Sequence, residues 1–190
     1  MPRSVAAGTC QRSGEVNQSG QQVQSAIKRK QQTIRVDADA CPVSVRHTIE
    51  RIARNRRIDL VYYIDENHEL YPNYGQVQQV GQGHDAVDMA LINQVVSGDL
   101  VVTQDYGLAA LVLARRAEAI HPGGRIFSEE NIDRLLLERH LSAKARRAGQ
   151  RTINPRRRRT ADDKSFESQF RLILDRWPER AARQAPTKED

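Results

Sequence analysis

The chain has 190 residues, of which 38% are apolar, and carries a net charge of +6 with a pI near 9.7. That length suits one domain with tails, and the low apolar share predicts that part of the chain is unpacked. No apolar run reaches the ~18 residues of a membrane span, Met1 to Gly20 lacks the apolar core of a secretory signal, and Cys10 and Cys41 are too few for a disulfide framework or a four-thiolate zinc site.

Two free thiols fit a reducing cytoplasm, and the basic balance points to an anionic partner. Residues 1–32 are rich in Gln, Ser and Gly without a sustained period, so they read as a disordered extension. The β-branched run Ile34 to Val36 is the first strand. Pro42 suits a first helical turn, where its missing N–H costs nothing. The helix it opens carries Val45, Ile49, Ile52 and Ala53 at helical spacing to about Asn55.

Asp59 to Ile64 reads as a second strand buried on both faces. A polar loop with Pro72 and Gly75 follows, then a short third strand at Val77 to Val80. Val87, Leu91 and Val95 mark the next helix, which Ser97 and Gly98 end. Asp99 to Thr103 is a fourth strand, Leu108 to Ala117 a helix, and Ala119-Ile120 another strand. Ser128 opens a helix in capping-box style that runs to about Glu138. From Lys144 to Thr160 the chain is dominated by arginine. Ala161 to Trp177 then sets Phe166, Phe170, Ile173, Leu174 and Trp177 on one side of a docking C-terminal helix, and residues 178–190 form a polar tail. Alternating strands and helices of this kind predict an α/β fold, three layers deep, with a mostly parallel sheet.

The candidate chemistry is acidic. Asp37 and Asp39 finish the first strand, and a buried parallel strand has no structural need to end in two carboxylates. Asp85 and Asp88 lie three apart at the start of a helix, on one face. Asp105 follows the fourth strand, with Thr103 just before it. In an open α/β sheet these strand ends share one edge, beside the crevice where ligands bind. Like charges in contact repel by about 4 kcal/mol at an effective dielectric of ~20. The cluster is therefore tolerable only if some acids take up protons or a divalent cation sits among them, and oxygen donors favour Mg²⁺ or Mn²⁺. The competing structural reading makes Asp85 a helix cap, Asp88 a partner of the helix dipole and Asp105 a turn residue.

Cys41 is a poor nucleophile candidate: aspartates flank it, and Arg46 comes one residue too early for a phosphatase loop. His84, next to Asp85, reads first as a loop residue, with orienting substrate or acting as an acid as the functional alternatives. Arg146, Arg147, Arg151, Arg156, Arg157, Arg158 and Arg159 are candidate phosphate contacts, against the alternative of a solvated linker. The segment has no interleaved aromatics for base stacking.

The stretches V-D-A-D-A-C-P-V, G-x-D-x-x-D from Gly83 to Asp88, and G-D-L-V-V-T-Q-D resemble the bacterial YaiI/YqxD family over about Ile34 to Trp177. That family is grouped with the PIN-like nucleases. The resemblance implies a Rossmann-like fold over 33–177 and a divalent-metal site built from Asp37, from Asp85 or Asp88, and from Asp105. The chain departs from the PIN-like pattern in offering no glutamate at the middle position, so Asp88 has to serve there. The expected function is metal-dependent hydrolysis of RNA, with Asp39 as a further ligand or supporting group and Thr103 orienting a carboxylate or water. Two rivals stand beside it. One is an RNA-binding or adaptor module that does no chemistry. The other is a haloacid-dehalogenase-type phosphatase, disfavoured because no lysine lies between Asp105 and Asp133.

Overall fold

The computed structural model of the protein describes residues 32–81, 83, 85–149 and 157–177. The expected tail, Cys10, His84, Arg151, Arg156 and all of the expected extension except Gln32 lie outside these residues.

The described chain is β1 (Thr33–Asp37), α1 (Val43–Arg56), β2 (Asp59–Asp65), β3 (Gln76–Val80), α2 (Ala86–Gln94), β4 (Leu100–Val102), α3 (Tyr106–Ala114), β5 (Glu118–Ile120), β6 (Ile126–Phe127), α4 (Glu129–Arg147) and α5 (Thr160–Asp175). The strands form one sheet in the order β3-β2-β1-β4-β5-β6, parallel except for the β5–β6 pair. After β1 the chain builds outward through β2 and β3. It then returns past β1 to lay down β4 on the other side. The strand order thus reverses between β1 and β4, and the crevice beyond their carboxyl ends is where such sheets bind ligands.

Strand alternation sorts the core into two halves. Ile34, Val36, Leu60, Tyr62, Leu100 and Val102 face α1 and α5, where they meet Val45, Ile49, Ile52, Phe166, Phe170 and Ile173. Tyr63, Val101 and Ala119 face the other way, onto Leu91 of α2, Leu108 and Val112 of α3, and Ile132 and Leu135 of α4. Helices on both faces of the sheet make the three layers expected. The stacked rings of Phe166 and Phe170, 5.3 Å apart, anchor α5. Exposed pairs Arg51–Glu167 and Arg56–Asp175 run along its seam with α1; such pairs are worth ~0–1 kcal/mol each.

Several element boundaries differ from the sequence reading. The helix opened by Ser128 does not stop near Glu138 but continues to Arg147, so Lys144, Arg146 and Arg147 belong to its last turn, where cations suit the helix dipole. The two-residue strand β6 was not expected, being too short for an alternation signal. β3 pairs parallel with β2 although no helix intervenes. Gly75 makes that return close: its φ is +101°, and an added Cβ would sit 2.9 Å from the Leu60 carbonyl oxygen. Among the described residues no helix is long and apolar enough to cross a membrane.

Candidate metal centre

Asp37 ends β1 on the α2–α3 side of the sheet and is 8% exposed. It is held by Thr103, whose hydroxyl donates to Asp37 Oδ2 at 2.8 Å and accepts from the Asp105 amide at 3.0 Å. One hydroxyl thus ties the end of β1 to the corner between β4 and α3. Gln104 reinforces the link by donating from Nε2 to the Ala40 carbonyl.

Asp105 is the N-cap of α3, accepting from the amides of Gly107 and Leu108 at 2.6 and 3.1 Å. Its other oxygen pairs with Arg139 of α4 at 2.9 Å. Arg139 also lies over the Tyr106 ring, 5.6 Å from its centroid. The turn-residue reading and the clustering reading of Asp105 therefore both describe the structure: one oxygen caps, while the group remains on the cavity.

Asp37, Asp88 and Asp105 line a cavity of about 740 Å³ together with Gln104, His121, Arg139 and Arg158. Their ionisation reflects the crowding. Burial raises the Asp37 carboxyl, against the Thr103 hydrogen bond, and the charges of Asp39 and Asp105 raise it further. Asp88 is pushed up to about 6 by burial and then by the charges of Asp37, Asp105 and Asp85. Burial would raise Asp105 as well, but the Arg139 hydrogen bond and the α3 amides outweigh it and hold the group below the ordinary range.

Two of the expected acids stand apart. Asp85 is exposed at the N-cap of α2 in the left-handed region, φ 67°, with no side-chain capping bond, and does not line the cavity. Because it precedes the helical turn proper, the three-residue spacing does not stack it on Asp88. Asp39 turns toward β2. Its carboxylate accepts from the Asp65 amide at 3.0 Å and meets His68 Nδ1 at 2.9 Å, and His68 also reaches Asp65 at 3.0 Å. β1 ends at Asp37, and the turn closed by the Cys41 amide on the Ala38 carbonyl carries Asp39 to a different neighbourhood.

Of the arginines, Arg146 and Arg147 are exposed at the end of α4, and Arg157 and Arg159 are exposed before α5. Arg158 turns inward, binding Asp163 at 2.7 Å and the Pro122 carbonyl at 2.8 Å at the cavity wall. Cys41 is buried, and burial pushes its thiol up to about 12, which leaves no thiolate for attack.

Sequence reasoning passed over Arg139 and His121. Arg139 lay beyond the expected helix end, and nothing local pairs it with an acid 34 residues away. His121 follows the β5 strand directly, so the strand-end rule that selected Asp37 would have selected it too.

By donor chemistry the cavity acids suit a hard divalent cation, whereas the described donors whose ligand atoms already lie within 4.8 Å of one another are Asp39, Asp65 and His68. Three carboxylates present oxygen donors alone; burial and then the neighbouring carboxylates raise the pKa of two of them, and the third is paired with the half-exposed Arg139.

A family model described as the uncharacterised YaiI/YqxD family of bacterial proteins matches residues 35–176. The chain belongs to the YaiI/YqxD family. Among its relatives, the UPF0178 protein of Clostridium tetani is 50% identical over 141 residues, covering 74% of this chain and 95% of its own. That of Exiguobacterium sibiricum is 49% identical over 139 residues, 73% of this chain and 94% of its own. That of Lachnoclostridium phytofermentans is 46% identical over 142 residues, 73% and 94%. No solved structure matches the chain. The family match runs from within β1 to the end of α5 and so includes every acid of the cavity.

Proposed function

We propose that this YaiI/YqxD protein is a divalent-metal-dependent phosphodiesterase of PIN-like type acting on RNA. The observation that carries the reading is the convergence of Asp37, Asp88 and Asp105, from three separate segments, on one cavity that also presents Arg139 and Arg158. Carboxylates alone would repel a polyanion. With arginines on the same wall, the cavity suits a phosphodiester whose charge is shared with a cation.

Asp37, Asp88 and Asp105 would hold Mg²⁺ or Mn²⁺, which supplies Lewis-acid charge and lowers the pKa of a water at the site. Thr103 fixes the Asp37 carboxylate through Oδ2, and the Ala40 amide holds it too, so its pose is set before any ion would bind. Asp39 stands too far toward β2 to share the work directly and acts on Asp37 by its charge. Arg139 holds Asp105, and with Asp105 engaged by a cation it would be free to pair with a phosphate. Arg146 and Arg147, both about two turns further along α4, extend the positive track for the strand.

Purified protein incubated with single-stranded RNA is expected to cleave it with Mn²⁺ or Mg²⁺ and not in EDTA. Asp37→Asn is expected to lower the rate at least ~10²-fold, the scale of losing a group that positions charge at a reacting centre. Equal rates for wild type and Asp37→Asn would refute the assignment. RNA binding equally tight in EDTA and in Mg²⁺, with no cleavage, would instead mark a binding module.

A further inference from the structure

His121 has no part in the reaction as proposed, yet it stands in the same row as the acids. Val36, Val102 and Ile120 lie abreast across β1, β4 and β5, so the next residues, Asp37, Thr103 and His121, form the row that ends the strands. The Thr103 amide donates to the Ile120 carbonyl at 3.2 Å and keeps that row in register. Alternation turns all three toward the α2–α3–α4 face. There the imidazole meets Phe127 edge-on, with centroids 6.3 Å apart, and lines the cavity with Asp37, Asp88 and Asp105.

The ring is held in one pose. The Gly123 amide donates to His121 Nδ1 at 2.8 Å. A nitrogen that accepts carries no proton, so the neutral ring has its proton on Nε2. A Cβ on Gly123 would lie 2.9 Å from Nδ1 and 3.4 Å from Cε1, so this pose requires glycine at 123. The turn itself is closed by His121 N–H to the Arg125 carbonyl and Gly124 N–H to the His121 carbonyl, both 2.8 Å. Burial, helped by the charges of Arg125 and Arg158, lowers the imidazole pKa and keeps the ring neutral at neutral pH. Nε2 lies on the ring edge away from Gly123. It finds no acceptor among the described residues and is not among their buried unpartnered atoms.

We infer that His121 contacts substrate, donating through Nε2–H to a phosphate oxygen of the strand held beside the acids. The inference rests on the proposed reading of this cavity as a phosphodiester site. A neutral donor of fixed tautomer adds a directed hydrogen bond without adding charge, and no bond is made or broken at the ring. Preorganised donors of this kind are worth about 10²–10³-fold in rate.

Long-range ¹H–¹⁵N spectra of the full chain at pH 7.5 are expected to show His121 as the Nε2–H tautomer. Its Nε2 resonance is expected to move when a short RNA oligonucleotide is added in Mg²⁺. An Nδ1–H tautomer, or an Nε2 resonance indifferent to RNA, overturns the inference. In cleavage assays with Mn²⁺, His121→Gln, whose amide nitrogen falls near Nε2, is expected to keep kcat/KM within about tenfold of wild type, while His121→Asn, whose amide falls near Nδ1, loses about 10²-fold. Equal losses in the two variants also overturn it. A wild-type chain whose Nε2 responds to RNA but which cleaves nothing leaves the contact standing and sinks the hydrolytic reading alone.

Discussion

Asp88 pays most visibly for the crowding at the rim. Its carboxyl is pushed up to about 6, first by burial and then by Asp37, Asp105 and Asp85. The sign follows from the direction. Below about pH 4 the group is protonated folded and unfolded, and the penalty is absent; above about pH 6 it is ionised in both, and the folded state bears the whole of it. In metal-free buffer at pH 7.5, Asp88→Asn is therefore expected to stabilise the protein by about 1 kcal/mol, the shift discounted for solvent screening at a half-exposed group. Urea denaturation checks it: the gain should shrink as pH falls from 6 to 4, and an equal gain at both ends would contradict the account. At this scale the sequence was informative in part. The D-x-D after a strand pointed to Asp37, but the same pattern could not tell that β1 ends there and that the turn from Ala38 to Cys41 sends Asp39 to His68 and Asp65. The partners that matter most to Asp105 lie on α4, out of reach of any local pattern.

Among the elements, β1 and β4 are joined at both ends by polar groups. At the carboxyl end Thr103 bridges Asp37 and the Asp105 amide. At the opposite end Asp99, fully buried, accepts from the Thr33 and Val96 amides at 3.0 and 3.1 Å and from Arg35 Nε at 2.8 Å. Arg35 reaches on to Tyr63 Oη at 2.7 Å. Removing Asp99 strands a buried guanidinium and two amides, so Asp99→Ala is expected to cost about 3–5 kcal/mol, measured as a shift in the urea midpoint. A cost below ~1 kcal/mol would mean that water satisfies Arg35 there. Strands β1, β2 and β4 and helices α1 and α5 were legible because each carries a continuous apolar run or a clear helical stripe. The far half of α4 was not: from Arg139 to Arg147 it is mostly exposed and basic, so its helicity comes from propensity and continuity rather than from a buried face. β6 is set by its antiparallel pairing with β5, a tertiary fact.

Over the whole molecule, topology explains why acids far apart in sequence meet. The order β3-β2-β1-β4-β5-β6 puts the reversal point between β1 and β4, and each of those strands delivers an acid there, while α2 starts beside the same crevice and adds Asp88. The reading of one domain with its ligand site at a strand-end rim was available from the alternation of elements. The identity of the rim's cationic side was not, because Arg139 and Arg158 come from elements whose docking the sequence does not specify. Asp39, Asp65 and His68, whose ligand atoms lie within 4.8 Å of one another, are close enough to compete with the cavity for a cation.

A crystal of the protein soaked in Mn²⁺ and measured at the manganese absorption edge separates these sites. The account predicts an anomalous peak about 2.0–2.3 Å from carboxylate oxygens of Asp37, Asp88 and Asp105, with Arg139 drawn off Asp105. No peak among those three carboxylates, or one confined to Asp39, Asp65 and His68, would contradict it.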